Sequence, residues 1–108
     1  MTGFAGWVDN CVSPPILFSA QDMLRIRAAA TLARSTGNTA ELVHTLAESI
    51  GPADRAAIRV RTPDTDLEAW LFAAVRQWAL GPVDELFRVL RVRLGELGLS
   101  LKCQEPLD

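Results

Sequence analysis

The segment 66–80, DLEAWLFAAVRQWAL, carries eleven apolar residues in fifteen, among them Trp70, Phe72 and Trp78. On a helix, Leu67, Trp70, Leu71, Phe72, Ala74, Val75, Trp78 and Ala79 sweep an arc of roughly 200°, where an ordinary surface helix needs about 100°. Such a helix must be covered on two sides, by the rest of its own chain or by another molecule. Much of what this chain can fold into, and bind, turns on that cover.

The 108 residues fit one domain, read as a single helical unit over 1–108. A domain of this size buries about 65% of its unfolded surface, enough for a core without metal or disulfide. Hydrophobic residues at 49% and charged residues at 22% are ordinary globular values. A net charge of −2 exerts no long-range pull on nucleic acid or anionic lipid. Ten of the eleven basic residues are Arg, with Lys102 the exception, a bias of GC-rich coding more than of phosphate binding. No basic stretch followed by an apolar one opens the chain, so no signal peptide is expected. The longest apolar run, 69–75, has seven residues. A bilayer span needs about twenty, so a cytoplasmic protein with no membrane partner is expected. Cys11 and Cys103 then read as free thiols.

Turn residues and caps divide the chain into an arm and four main helices. Residues 1–18 contain Gly3, Gly6, Pro14 and Pro15, so they read as an irregular arm. Phe4, Trp7, Ile16, Leu17 and Phe18 are too apolar for a solvated tail, and the arm is expected to pack on the helices. Ser19 with Asp22 three residues later starts a helix over 19–35, and Gly37 suits its left-handed cap. This helix also has two apolar faces: Met23, Ile26, Ala30 and Ala33 on one, Leu24, Ala28 and Leu32 on the other. The Asn38-x-x-Glu41 spacing starts a helix over 39–50 with one stripe, Leu42, Val43, Leu46, Ala47 and Ile50. The Thr65-x-x-Glu68 spacing forms a capping box for 66–80. Gly81-Pro82 separates it from a single-faced helix over 83–97, carrying Val83, Leu86, Phe87, Leu90, Leu94 and Leu97. On its polar side Asp84 spaces with Arg88 and Arg93 with Glu96 as ion pairs. Residues 52–61 begin like a short helix at Pro52, the favoured reading, but Ile58-Arg59-Val60-Arg61 alternates like a strand. A strand pair 57–61/99–103 is therefore the competing reading. The fold expected is an all-α compact bundle of helices 19–35, 39–50, 66–80 and 83–97. In it the two double-faced helices are central and the two single-faced helices flank them.

No motif specifies a chemistry. Cys11 and His44 are the one nucleophile–base pair on offer, in no recognisable setting. Glu41-x-x-His44 has the spacing of a carboxylate-bridged di-iron site, but such sites need a second copy and the chain has one His. Neither Cys lies in a Cys-x-x-Cys pair and no glycine-rich phosphate loop occurs, so no cofactor or metal is expected and the chain reads as non-enzymatic. Ala33, Gly37 and Val43 follow the generic spacing of a helix-turn-helix, which makes DNA binding through 33–49 the alternative function. The presumed recognition helix exposes Glu41 and Glu48 and no Arg or Lys, the wrong sign for phosphate. Arg55, Arg59 and Arg61 lie just downstream among Asp54, Asp64 and Asp66, which can neutralise them. The function expected is a protein–protein interaction module, an adaptor, accessory subunit or inhibitor of a bacterial or phage system. It would self-associate through 66–80 using Trp70, Phe72, Arg76 and Trp78, with Phe4 or Trp7 from the arm. The sequence leaves open whether the arm or a second molecule covers the Phe72, Val75 and Ala79 side.

Overall fold

The computed structural model describes residues 14–104. They form strand β1 (Ile16–Phe18), helices α1 (Ala20–Thr36), α2 (Ala40–Ser49), α3 (Pro52–Arg61), α4 (Leu67–Trp78) and α5 (Val83–Glu96), and strand β2 (Leu101–Cys103). The predominantly helical fold is as read, with five helices among the described residues instead of four. Phe4, Trp7 and Cys11 lie outside the described residues. No helix among those described is long and apolar enough to cross a membrane.

Local chemistry accounts for most boundaries. Ser19 and Asp22 form a reciprocal capping box at the start of α1, each side chain accepting from the other's backbone N–H at 3.1 Å. Gly37 ends α1 in the left-handed region, at φ 78°, where a Cβ would be strained. Two expected caps form differently. Asn38 Oδ1 accepts from Ala40 N at 3.0 Å, one residue short of a box with Glu41. At α4 the cap is Asp66, not Thr65: Asp66 Oδ1 accepts from Ala69 N at 2.8 Å. Asp and Thr both cap well, and a carboxylate at the positive end of the helix has the electrostatic advantage.

The strand reading of 57–61 is corrected. Pro52 occupies the first turn of a helix, and Arg59 and Arg61 fall in its last turn. In a strand Ile58 and Val60 would share a face, but only Ile58 is buried while Val60 is 75% exposed. A helix turns them roughly 200° apart and needs to bury only one. The partner of 101–103 is instead β1, in parallel, with Ile16 opposite Leu101 and Phe18 opposite Cys103. Ile16 N donates to Ser100 O and Gln104 N to Phe18 O, both at 2.9 Å. Ile16 and Phe18 point into the core and Leu17 points out, a strand alternation hidden in a run of three apolar residues.

The helices form a ring. α1 packs on α2, α2 on α4 and α4 on α5, and α5 closes back on α1 through a thinner contact; α3 rests on α4. The double-faced helices α1 and α4 are thus diagonal to one another, not a central pair flanked by the others. In a ring of four no helix is surrounded, so each keeps an outward side. The core runs through the middle: Met23, Ile26 and Ala30 of α1, Leu42 and Leu46 of α2, Leu71, Ala74 and Val75 of α4, Leu86 and Leu90 of α5.

Candidate interaction surfaces

The aromatic residues of 66–80 separate into two kinds. Trp70 and Trp78 are core residues, 6% and 4% exposed. Trp78 Nε1 donates to Pro82 O at 2.8 Å, which satisfies the one polar atom of a buried indole. Trp70 lies under the guanidinium of Arg93, 5.5 Å from its ring centroid, and Arg93 Nη1 donates to Gln77 Oε1 at 3.1 Å. Arg93 thereby clamps α5 to α4, in place of the ion pair with Glu96 expected from spacing. Phe72 is 47% exposed, and Arg76 shares the outward side of α4 with Ala69 and Ala73. The aromatic surface expected of this helix therefore contracts to Phe72, with Arg76 one turn on.

Beside Phe72 a groove of about 520 Å³ opens between the N-terminal halves of α2 and α4. Val43, Ala40, Ala69 and Phe72 supply its apolar lining; His44, Asp66 and Glu68 supply its polar edge. The outward side of α2 continues this acidic character with Glu41 and Glu48. His44 Nε2 sits 3.1 Å from Glu48 Oε2, with both side chains more than half exposed. Glu41 and His44 are both exposed, and among the described residues no group of three His, Cys, Asp or Glu side chains converges.

The second exposed apolar surface is on α1. Leu24 and Leu32 are 57% and 54% exposed, and Ala28 between them is exposed too. On the helix they lie nearly opposite Ile26, Ala30 and Ala33. Gln21, Thr31 and Ser35 flank them, and Arg25 and Arg27 border the stripe on its two sides, so the stripe itself is uncharged but its margins are basic. The spacing of this second face was legible in the chain; its exposure was not.

The arginines downstream are partly structural. Arg55 Nε donates to Ile50 O at 2.9 Å and its Nη2 to Ala47 O at 2.5 Å, capping the last carbonyls of α2. Arg61 Nη1 donates to Ala57 O within its own helix. Because 52–61 is helical, Arg59 and Arg61 do not project together. Arg55 and Arg59 do, into a cleft of about 680 Å³ that also holds Asp64 and Asp66, so its charge is balanced. On α5, Arg88 pairs with Glu85, not with Asp84, and holds the Glu85 carboxyl below the ordinary carboxylate range. Asp84 instead receives Arg27 Nη1 from α1 at 3.0 Å, a bond across the thin side of the ring.

The helix-turn-helix spacing is realised as a helical hairpin: Ala33 and Val43 are buried and Gly37 makes the turn. The helix it would present to DNA carries Glu41, His44 and Glu48 outward. Comparison with protein-family models, with curated proteins and with solved structures finds no match for this chain.

Proposed function

We propose that this chain is a non-enzymatic protein–protein interaction module, an adaptor, accessory subunit or inhibitor of a larger bacterial or phage system, and that it self-associates. The observation that carries this reading is the Leu24–Ala28–Leu32 stripe, an uncharged apolar ridge on the side of α1 turned away from the core. With Trp70 and Trp78 serving the core, self-association passes from 66–80 to this ridge. The bordering Arg25 and Arg27 are each held by a carboxylate, Asp22 and Asp84, and Ala28 at the centre allows two helices to approach closely across a two-fold axis. The ridge alone is narrower than a standard interface of roughly 800 Å² per partner, so a weak, concentration-dependent dimer is expected.

Light scattering across a concentration series tests this. Wild type should shift from monomer toward dimer, and Leu24→Glu with Leu32→Glu should remain monomeric with an unchanged helical circular dichroism spectrum. A wild type that stays monomeric at the highest concentration overturns the self-association. The DNA-binding alternative predicts salt-dependent retention of the protein on random duplex DNA at low salt. The two carboxylates on the outward side of α2 support the opposite outcome.

A further inference from the structure

We propose that the α2/α4 groove beside Phe72 is a docking site for a basic, apolar-anchored protein segment, one that places a large aliphatic or aromatic side chain against Phe72 and Arg or Lys beside it. This deepens the interaction-module reading and rests on it, but uses a surface separate from the α1 ridge.

Three observations converge. Phe72 is about half exposed and lines an open concavity of about 520 Å³ together with Val43 and Ala69. Acid predominates in its lining, with His44 the one basic side chain there and Arg76 lying a turn beyond Phe72. Asp66 and Glu68 form its edge, and no Arg or Lys among the described residues lines it. Asp66 spends one oxygen on the α4 cap and is shared with the neighbouring cleft, so Glu68 is the acid that belongs to this groove alone. Glu41 extends the acidic side along α2, while Glu48 sits against His44. The cleft on the far side of Asp66 differs in just this respect, since Arg55 and Arg59 balance its acids.

Sign also selects the occupant. A second copy packed with its α4 parallel would set Asp66 and Glu68 against the same residues of its mate, and one packed antiparallel would answer Glu68 alone, with the mate's Arg76. A basic segment meets the opposite field: its cations gain from the carboxylates while its anchor removes Phe72 from water. At about 0.1 M ionic strength the field reaches about 10 Å, enough to cover a groove of this width.

The test is selection from a random peptide display library on wild-type protein, with counter-selection on Phe72→Asp. Enriched peptides should combine a large apolar residue with Arg or Lys. A labelled peptide of the enriched sequence, measured by fluorescence polarisation, should bind about tenfold more weakly to Phe72→Ala and to Glu68→Lys. Its affinity for wild type should fall as salt rises. Amide shifts of labelled wild type on adding that peptide should centre on Val43, Ala69 and Phe72. Failure to enrich any sequence, an acidic or uncharged consensus, or shifts centred elsewhere overturns the proposal. The same variants go through light scattering. If Phe72→Asp abolishes self-association, the occupant is a second copy and the proposal fails. If self-association is absent in wild type while the basic peptide still binds at Phe72, the dimer fails and the groove stands. Circular dichroism on each variant separates lost binding from lost folding; Phe72 and Glu68 are both exposed, so their replacement leaves the core intact.

Discussion

Two adjacent residues carry the least favourable backbone in the described chain. Ala79 and Leu80, at φ 59° and 56°, sit in the left-handed region without being glycine. A Cβ there costs roughly 1–2 kcal/mol per residue, and such conformations persist where the surroundings over-determine them. Here the surroundings are specific. Ala79 N donates to Val75 O to close α4, Arg34 Nε reaches across from α1 to Leu80 O, and Trp78 is tied to Pro82. The chain accepts the strain because it must reverse between α4 and α5 within a few residues while keeping Trp78 in the core. Ala79→Gly removes one Cβ from this region and adds some unfolded-state entropy, for a net gain of about 0.5–1 kcal/mol. Thermal denaturation should show a midpoint about 2–8 °C higher. An unchanged or lowered midpoint would show that the left-handed turn carries no strain to relieve.

Among elements, α4 shows how one apolar helix can serve two purposes. Leu71, Ala74, Val75 and Trp78 face the ring's interior, and Trp70 lies at the edge of that face beneath Arg93. Phe72 follows two positions later and is thrown to the outer side by the 100° step. Replacing one or the other should therefore have very different costs. Trp70→Ala leaves a cavity between α4 and α5 and should lose about 3–5 kcal/mol, a large part of a domain's total stability. Phe72→Ala should lose less than about 1 kcal/mol, because about half of its surface already meets water. Urea denaturation of the two variants beside wild type measures the contrast. Equal losses would place Phe72 in the core and remove the groove with it. Arg55 makes the same point for polar residues: a basic side chain that reads as part of a charged strip turns out to hold the end of α2.

At the scale of the whole molecule, β1 and β2 bring the two ends of the described chain side by side. Every helix among the described residues lies between them in sequence, so their parallel pairing is a long-range contact that the folded ring holds in place. Ile16, Phe18 and Leu101 are buried, which makes the ribbon part of the same core as the helices. The amides of Ile16 and Gln104, which bond to Ser100 and Phe18, should then exchange with solvent only through global unfolding. Native-state hydrogen exchange should give them the same opening free energy as Leu42 and Leu86. Much faster exchange would show a ribbon that frays independently and lids the ring without stabilising it. The ring arrangement also settles where apolar surface is left over. Two helices with two apolar faces occupy diagonal corners, and α1 and α4 turn their spare sides to opposite flanks of the bundle.

Local chemistry along the chain determined a good deal of this protein by itself. Ser19 with Asp22, Gly37 and Pro52 marked helix ends because caps and φ preferences act within a few residues. The single stripes of α2 and α5 came through because one apolar face at the helical period has one way to be buried. Both faces of α1 were visible too. What the chain could not encode locally is which of two equally apolar faces is turned inward, since Leu24, Ala28 and Leu32 are as apolar as the face that won. Only the closing of the ring, with α2 and α5 on the inner side of α1, decided it. The same holds for β2, whose alternation declared a strand but not a partner; Ile16 and Phe18 lie more than eighty residues away in sequence. The groove at Phe72 is a further case. Its lining comes from α2 and α4, which meet only in the folded molecule, so the acidic edge that gives it a sign is a property of packing and not of any one segment.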